Sequence, residues 1–180
     1  MKKYMERIKN KLEDFIKIYT GIIFFILAIT VFGMFIVTFM QVLFRYVLKW
    51  PLFWIEEIAR YLLIFIAMMG GTLAFKDDVH PKVAIFYKRL KYSKRIKWEL
   101  FLRIFIIIFL MLLIFSGWNW AQGNSIFRTP GLGISFFWPL IIVPIGAVTM
   151  LVILLLDSLN ILINKISYLI KKNERNKDLL

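Results

Sequence analysis

Residues Ile18–Phe44 read IYTGIIFFILAITVFGMFIVTFMQVLF, 27 positions without a charged side chain between Lys17 and Arg45. About 20 helical residues cross a hydrocarbon core roughly 30 Å thick, so this run is a membrane span. Two more runs repeat the pattern, 24 uncharged residues between Arg103 and Arg128 and 28 between Arg128 and Asp157. The last apolar stretch, Tyr61 to Phe75, has only 15. It reaches spanning length if its helix begins near Trp54, which puts Glu56, Glu57 and Arg60 in the first two turns. At a rise of ~1.5 Å per residue, Arg60 then lies roughly 9 Å from that end, within snorkelling reach of the interface. The fold class is an all-α integral membrane protein with four transmembrane helices, one domain over residues 1–180. The first span is longer than a signal-peptide core and no small-residue cleavage site follows it, so an uncleaved anchor is expected.

Composition agrees. The 180 residues are 61% hydrophobic and 17% aromatic, more apolar surface than a soluble core of this size needs. The net charge of +13 would suggest nucleic acid in a soluble protein. Here the cations sit between apolar runs, where they set topology and meet anionic headgroups, so no nucleic-acid partner is implied. The absence of cysteine removes disulfides, thiol catalysis and thiolate metal sites together.

Lysine and arginine also give direction. Six precede Ile18, nine lie from Lys76 to Arg103, and five follow Leu156. The other two connections hold only Arg45, Lys49, Arg60 and Arg128, so twenty of 24 lie on one side. The positive-inside rule makes that side cytoplasmic and predicts both termini there. Trp50, Trp54, Trp118, Trp120 and Trp138 fall at the outer interface and Trp98 at the inner one, as an aromatic belt requires. The fourth helix is expected to start near Trp138, leaving Ala121 to Phe137 as the outer loop. Pro139 and Pro144 are placed to kink its outer half.

Two cytoplasmic segments read as amphipathic. After the second span, Pro81 suits a first helical turn, and Val83, Phe86, Tyr87 and Leu90 recur at helical spacing opposite Lys82, Lys88, Arg89 and Lys91. This predicts a short helix in the inner headgroup layer. Met5, Ile8, Leu12, Phe15 and Tyr19 form a similar stripe, predicting a helical extension of the first span resting on lipid. Lys171 to Leu180 is expected to fray.

Familiar chemistry is missing. A membrane haem needs two facing imidazoles, and His80 is the sole histidine. Zinc and di-iron sites fail on ligand count, and Gly131-Leu132-Gly133 lacks the strand and helix of a nucleotide loop. A carrier normally places an ionisable or interrupted segment near the midplane, whereas all four spans have uncharged centres. The chain reads as a scaffold with packing faces. Ala67 and Gly71, and likewise Gly70 and Ala74, are four apart on the second span, with Gly146 and Ala147 available on the fourth.

One stretch carries more information. Gln41-Val42-Leu43-Phe44-Arg45-Tyr46 leads through Pro51 into Trp54-Ile55-Glu56-Glu57-Ile58-Ala59-Arg60-Tyr61, then through Gly70-Gly71-Thr72-Leu73-Ala74-Phe75 to His80. With Thr129-Pro130-Gly131-Leu132-Gly133-Ile134-Ser135, Trp138 and Pro144-Ile145-Gly146, it resembles the small permease (Q, or DctQ-type) subunit of the tripartite ATP-independent periplasmic (TRAP) transporters. The resemblance covers roughly residues 20–160, including the histidine at His80, and departs from the family at Asp77-Asp78-Val79.

The resemblance implies a transporter subunit rather than an enzyme, without ATP or a cofactor. A periplasmic binding protein would deliver an organic anion, a large membrane subunit would carry it inward on a sodium gradient, and the small subunit would brace the large one. Physically, Glu56 and Arg60 are spaced four apart with the acid first, a favourable helical ion pair, and Glu57 and Tyr61 form the next row. Two carboxylates at a membrane boundary demand partners, and Gln41 and Arg45 lie at the same boundary to supply them. Pairing within the chain and pairing across a subunit interface both remain open, as does a cofactor-free anchor in another membrane complex.

Overall fold

The computed structural model describes residues 2–50, 52–76 and 92–177. His80 and the amphipathic segment expected from Pro81 to Leu90 lie outside the described residues. The chain forms α1 (Lys2–Tyr46), α2 (Phe53–Lys76), α3 (Tyr92–Gly123), a short α4 (Phe137–Leu140) and α5 (Ile142–Lys177). Four stretches are long and apolar enough to cross a bilayer: Arg7–Tyr46, Phe53–Phe75, Phe101–Gly123 and Phe137–Asn160, the last running through α4 and α5. The fold is that of an all-α membrane protein with four spans.

Local chemistry explains the helix ends. At 45 residues α1 is about 68 Å long, so it continues well past a hydrocarbon core as one uninterrupted helix. It ends where Val47 and Leu48 donate to the Leu43 carbonyl at 2.9 and 3.2 Å and Lys49 adopts a φ of 51°. Helix α3 runs two residues past Ala121, to Gly123, so the loop is shorter than expected. Asn124 stops it by bonding the Trp120 carbonyl with both its backbone N–H (3.1 Å) and its side-chain amide (2.8 Å). The fourth span breaks at Ile141 because Pro144 has no N–H for the Leu140 carbonyl and its ring crowds that position. Helix α5 persists to Lys177, through most of the tail expected to fray from Lys171. Lysine, arginine and glutamate there are good helix formers, and cations near a C-terminus complement the helix dipole.

Helix α5 is the hub. It packs against α1, α2 and α3, while α1 and α2 also pair with each other. Of the fourth span's most apolar stretch 33% is buried, against 6%, 11% and 6% for the other three in chain order. Leu110, Ala147 and Leu154 form the α3–α5 core, with Ile106, Ile107 and Met150 against it.

The α2–α5 crossing depends on missing side chains. A Cβ on Gly146 would lie 2.5 Å from Met68 Cβ, and one on Gly71 would lie 2.5 Å from the Met150 methyl. This close approach brings the Thr72 and Thr149 hydroxyls within 3.0 Å, while each also bonds a carbonyl of its own helix. Of the small residues singled out from spacing, Gly71, Gly146 and buried Ala147 pack internally. Gly70 has open space where a Cβ would go, and Ala67 and Ala74 are exposed.

At the end of the bundle that carries the termini, Arg103 on α3 bonds Asp157 (2.9 Å) and Ser158 (3.0 Å) on α5. Sequence reading used these charges to mark span ends and topology and did not pair them.

Packing makes a differential prediction. Gly146→Ala meets the stiff stem of Met68 and is expected to destabilise the chain by ~1–3 kcal/mol, the usual cost of overpacking. Gly70→Ala meets nothing and is expected to be neutral or slightly stabilising through helix propensity. Thermal unfolding of the two variants in the same detergent checks the contrast.

Candidate functional site

At the opposite end of the bundle, the start of α2 carries Glu56 and Glu57 on neighbouring faces. Glu56 points outward and Glu57 inward, since adjacent helical positions differ by about 100°. Their environments diverge accordingly: Glu57 is 8% exposed, and the Glu56 side chain 49%.

Outward-facing Glu56 has cationic neighbours. Arg60 and Arg45 each approach it at 3.6 Å, one from the next turn of α2 and the other from the last turn of α1. Both arginine side chains are more than half exposed, so these are loose, screened pairs. Gln41 lies one turn before Arg45 and lines a small cleft with Arg45, Phe53 and Glu56. Gln41, Arg45, Glu56 and Arg60 are thus neighbours at this end of the bundle.

Glu57 finds a different kind of partner. Its Oε1 accepts the Tyr61 hydroxyl at 2.5 Å, and its Oε2 accepts the backbone N–H groups of Gly131 and Leu132 at 2.9 and 2.8 Å. No cation pairs with it among the described residues. Donors aimed at a fixed carboxylate offset the several kcal/mol lost when such a group leaves water. Partners from another subunit are therefore not needed for Glu57.

The loop is shaped for this contact. Residues 124–136 fold back on themselves through an isolated antiparallel bridge between Arg128 and Ser135. Thr129 donates its N–H to Ile134 (2.8 Å), Gly133 donates to Thr129 (2.9 Å), and the Arg128 guanidinium bonds the Gly133 carbonyl (3.0 Å). Gly133 takes a φ of 68°, a left-handed turn that suits glycine. Gly131 is needed for contact: a Cβ there would sit 2.5 Å from Glu57 Oε2 and 3.0 Å from Trp54 Cα. The Thr129 hydroxyl, buried beside this turn, has no hydrogen bond of good geometry. Sequence reading named the loop glycines as a turn but missed their role as donors, because backbone N–H groups leave no residue signature. The available signal was a buried-face glutamate opposite a loop with two glycines two apart.

Phe53, Glu56, Arg60, Tyr61, Pro130 and Phe136 line an open groove beside this latch. No group of three or more metal-binding side chains occurs among the described residues. The site holds helices and a loop in place, and its exposed part offers charge.

A sequence model of the tripartite ATP-independent periplasmic transporters, DctQ component, matches residues 34–163. The chain belongs to this family. The match begins later and ends slightly later than the resemblance read from motifs, and it includes the whole polar cluster and the latching loop. A curated relative is the sialic acid TRAP transporter small permease protein SiaQ of Vibrio cholerae serotype O1 (strain ATCC 39315 / El Tor Inaba N16961). It is 32% identical over 106 residues, 59% of this chain and 61% of the relative, so the chain spans less than two thirds of that protein. That family is one of transporter components and not of enzymes.

The two glutamates are expected to behave differently. Glu57→Ala leaves two loop N–H groups and a tyrosine hydroxyl unpaired and should cost about 3 kcal/mol or more. Glu56→Ala loosens only exposed pairs and should cost less than ~1 kcal/mol. Thermal unfolding of both variants, with limited proteolysis of the 124–136 loop, checks the difference: only Glu57→Ala should expose the loop.

Proposed function

We propose that this chain is the fixed brace of a TRAP-type transporter. It binds a large permease subunit, which imports an organic anion on a sodium gradient after delivery by a periplasmic binding protein. The observation that carries the reading is the division of α2 into two faces. One face is occupied within the bundle, through Glu57, Tyr61, Met68, Gly71 and Thr72. The other presents Glu56, Arg60, Leu63, Ala67 and Ala74, all exposed and at helical spacing. Charges at one end and small residues further along suit a second helix that approaches closely and registers by ion pairing. Uncharged span centres argue against a carrier site in this chain. The relative's name refers to sialic acid, a sugar acid bearing a carboxylate, and an organic anion is the substrate class proposed here.

In this reading both termini are cytoplasmic and the Glu57 latch faces the periplasm of a bacterial inner membrane. Twenty of the 24 basic residues fall in the sequence before Ile18, from Lys76 to Arg103 and after Leu156, which supports that orientation. The chain has no native cysteine, so single cysteines report cleanly. A cysteine at position 128 should react with an impermeant maleimide in intact cells, and one at position 94 only after lysis. The reverse pattern would invert the topology.

Reconstitution tests the function. Liposomes holding this chain, its large permease and the binding protein should accumulate the anion when sodium is imposed outside. Omitting this chain should abolish uptake. Sustained uptake without it, or flux through this chain alone, would reject the brace.

A further inference from the structure

The turn joining α1 to α2 has two features that neither helix packing nor the Glu57 latch accounts for. The first is backbone geometry. Lys49 is the non-glycine residue in the left-handed region among those described, at a φ of 51°. It follows the end of α1, where the Trp50 N–H reaches back to the Phe44 carbonyl at 3.1 Å. Glycine is the residue usually found at such a helix end, because a Cβ is disfavoured there. A lysine at a disfavoured backbone position points to a use for its ammonium group.

The second feature is what surrounds that ammonium. Arg45, Lys49 and Arg60 are, with Arg128, the four cations at this end of the bundle among the described residues. Glu56 is shared loosely by the two arginines, and Glu57 is committed to the loop. Lys49 has no ion pair among the described residues. Beside it Tyr46, Val47, Leu48, Trp50 and Phe53 are all exposed, Trp50 by 71% and Phe53 by 76%. Such an apolar turn is unsuited to bulk water. Aromatic rings with polar edges settle at the level of lipid headgroups and glycerol, which is where phosphates lie.

We propose that this turn binds the phosphate of an anionic phospholipid in the adjacent leaflet, with Lys49 as the principal cation. An ammonium is a compact point charge with three donors, suited to a phosphodiester without bidentate geometry. The unpaired positive charge favours an anionic over a zwitterionic lipid. The exposed apolar side chains favour a lipid over free phosphate, because they need acyl chain and glycerol beside the charge. The inference does not depend on which leaflet is periplasmic or on the partner proposed above.

Thermal unfolding of the full purified chain in detergent tests it, with phosphatidylglycerol or phosphatidylcholine added at equal mole fraction. Wild type should melt several degrees higher with phosphatidylglycerol. Lys49→Gly relieves the backbone, so its melting temperature in phosphatidylcholine should equal or exceed that of wild type. Its phosphatidylglycerol increment should fall by at least half. Lys49→Arg should keep the increment, as should Arg128→Ala, which removes the fourth cation at this end. A full increment in Lys49→Gly would overturn the proposal and leave Lys49 a helix-dipole partner or a protein contact. So would an increment reproduced by inorganic phosphate, or no preference of wild type for the anionic lipid.

Discussion

A carboxylate buried at one end of a helix bundle must collect its hydrogen bonds from protein, and the arrangement at this end follows from how Glu57 does so. Its two oxygens take three donors, one from the next turn of its own helix and two from the backbone of a distant loop. The loop must bring consecutive N–H groups against a helix terminus, so it needs glycine at Gly131 and a tight return at Gly133. Its position ties the segment between α3 and α4 to α2. The second glutamate is thereby free to face outward with Arg45 and Arg60.

Chemistry at the two ends of the bundle differs in kind. At the termini end, Arg103 spans from α3 to Asp157 and Ser158 on α5, a charge-assisted contact with modest solvent access. At the loop end, the interior contact uses backbone donors and leaves the cations on the surface. Arg45 and Arg60 stand exposed on the outside of the bundle, while Arg103 at the termini end is engaged in cross-linking spans. Between the two ends, the Thr72–Thr149 contact is the polar link of a crossing otherwise made from methionine and glycine.

Much of this was legible in the residue order. Charges bracket each span, so the number of crossings and the start of α2 near Trp54 followed from counting. Spacing of four placed Glu56 with Arg60, and shared depth placed Arg45 beside them. Two prolines marked the break in the fourth span. What was not legible depends on neighbours that periodicity does not identify. Gly71 and Gly70 are adjacent in sequence, and only the position of α5 decides that one lies against a methionine and the other in the open. Arg103 and Asp157 are 54 residues apart, and their meeting requires knowing that α3 packs on α5. The Glu57 latch was hidden for another reason: its donors are peptide groups, which every residue but proline carries.

The central place of α5 also bears on how the protein is made. Ribosomes deliver spans from the N-terminus, and the fourth of these spans is the one on which the first three rest. Helices α1 and α2 can form a hairpin as soon as both are inserted, since they pair directly. Helix α3 has its main helix contacts with α5 and the short α4 that precedes it, so it waits in the membrane without its core partners. These four spans therefore close into a bundle only after the fourth leaves the translocon, and a ribosome stalled before Ile142 would leave a fragment whose small-residue crossing and Arg103 clasp have nothing to meet.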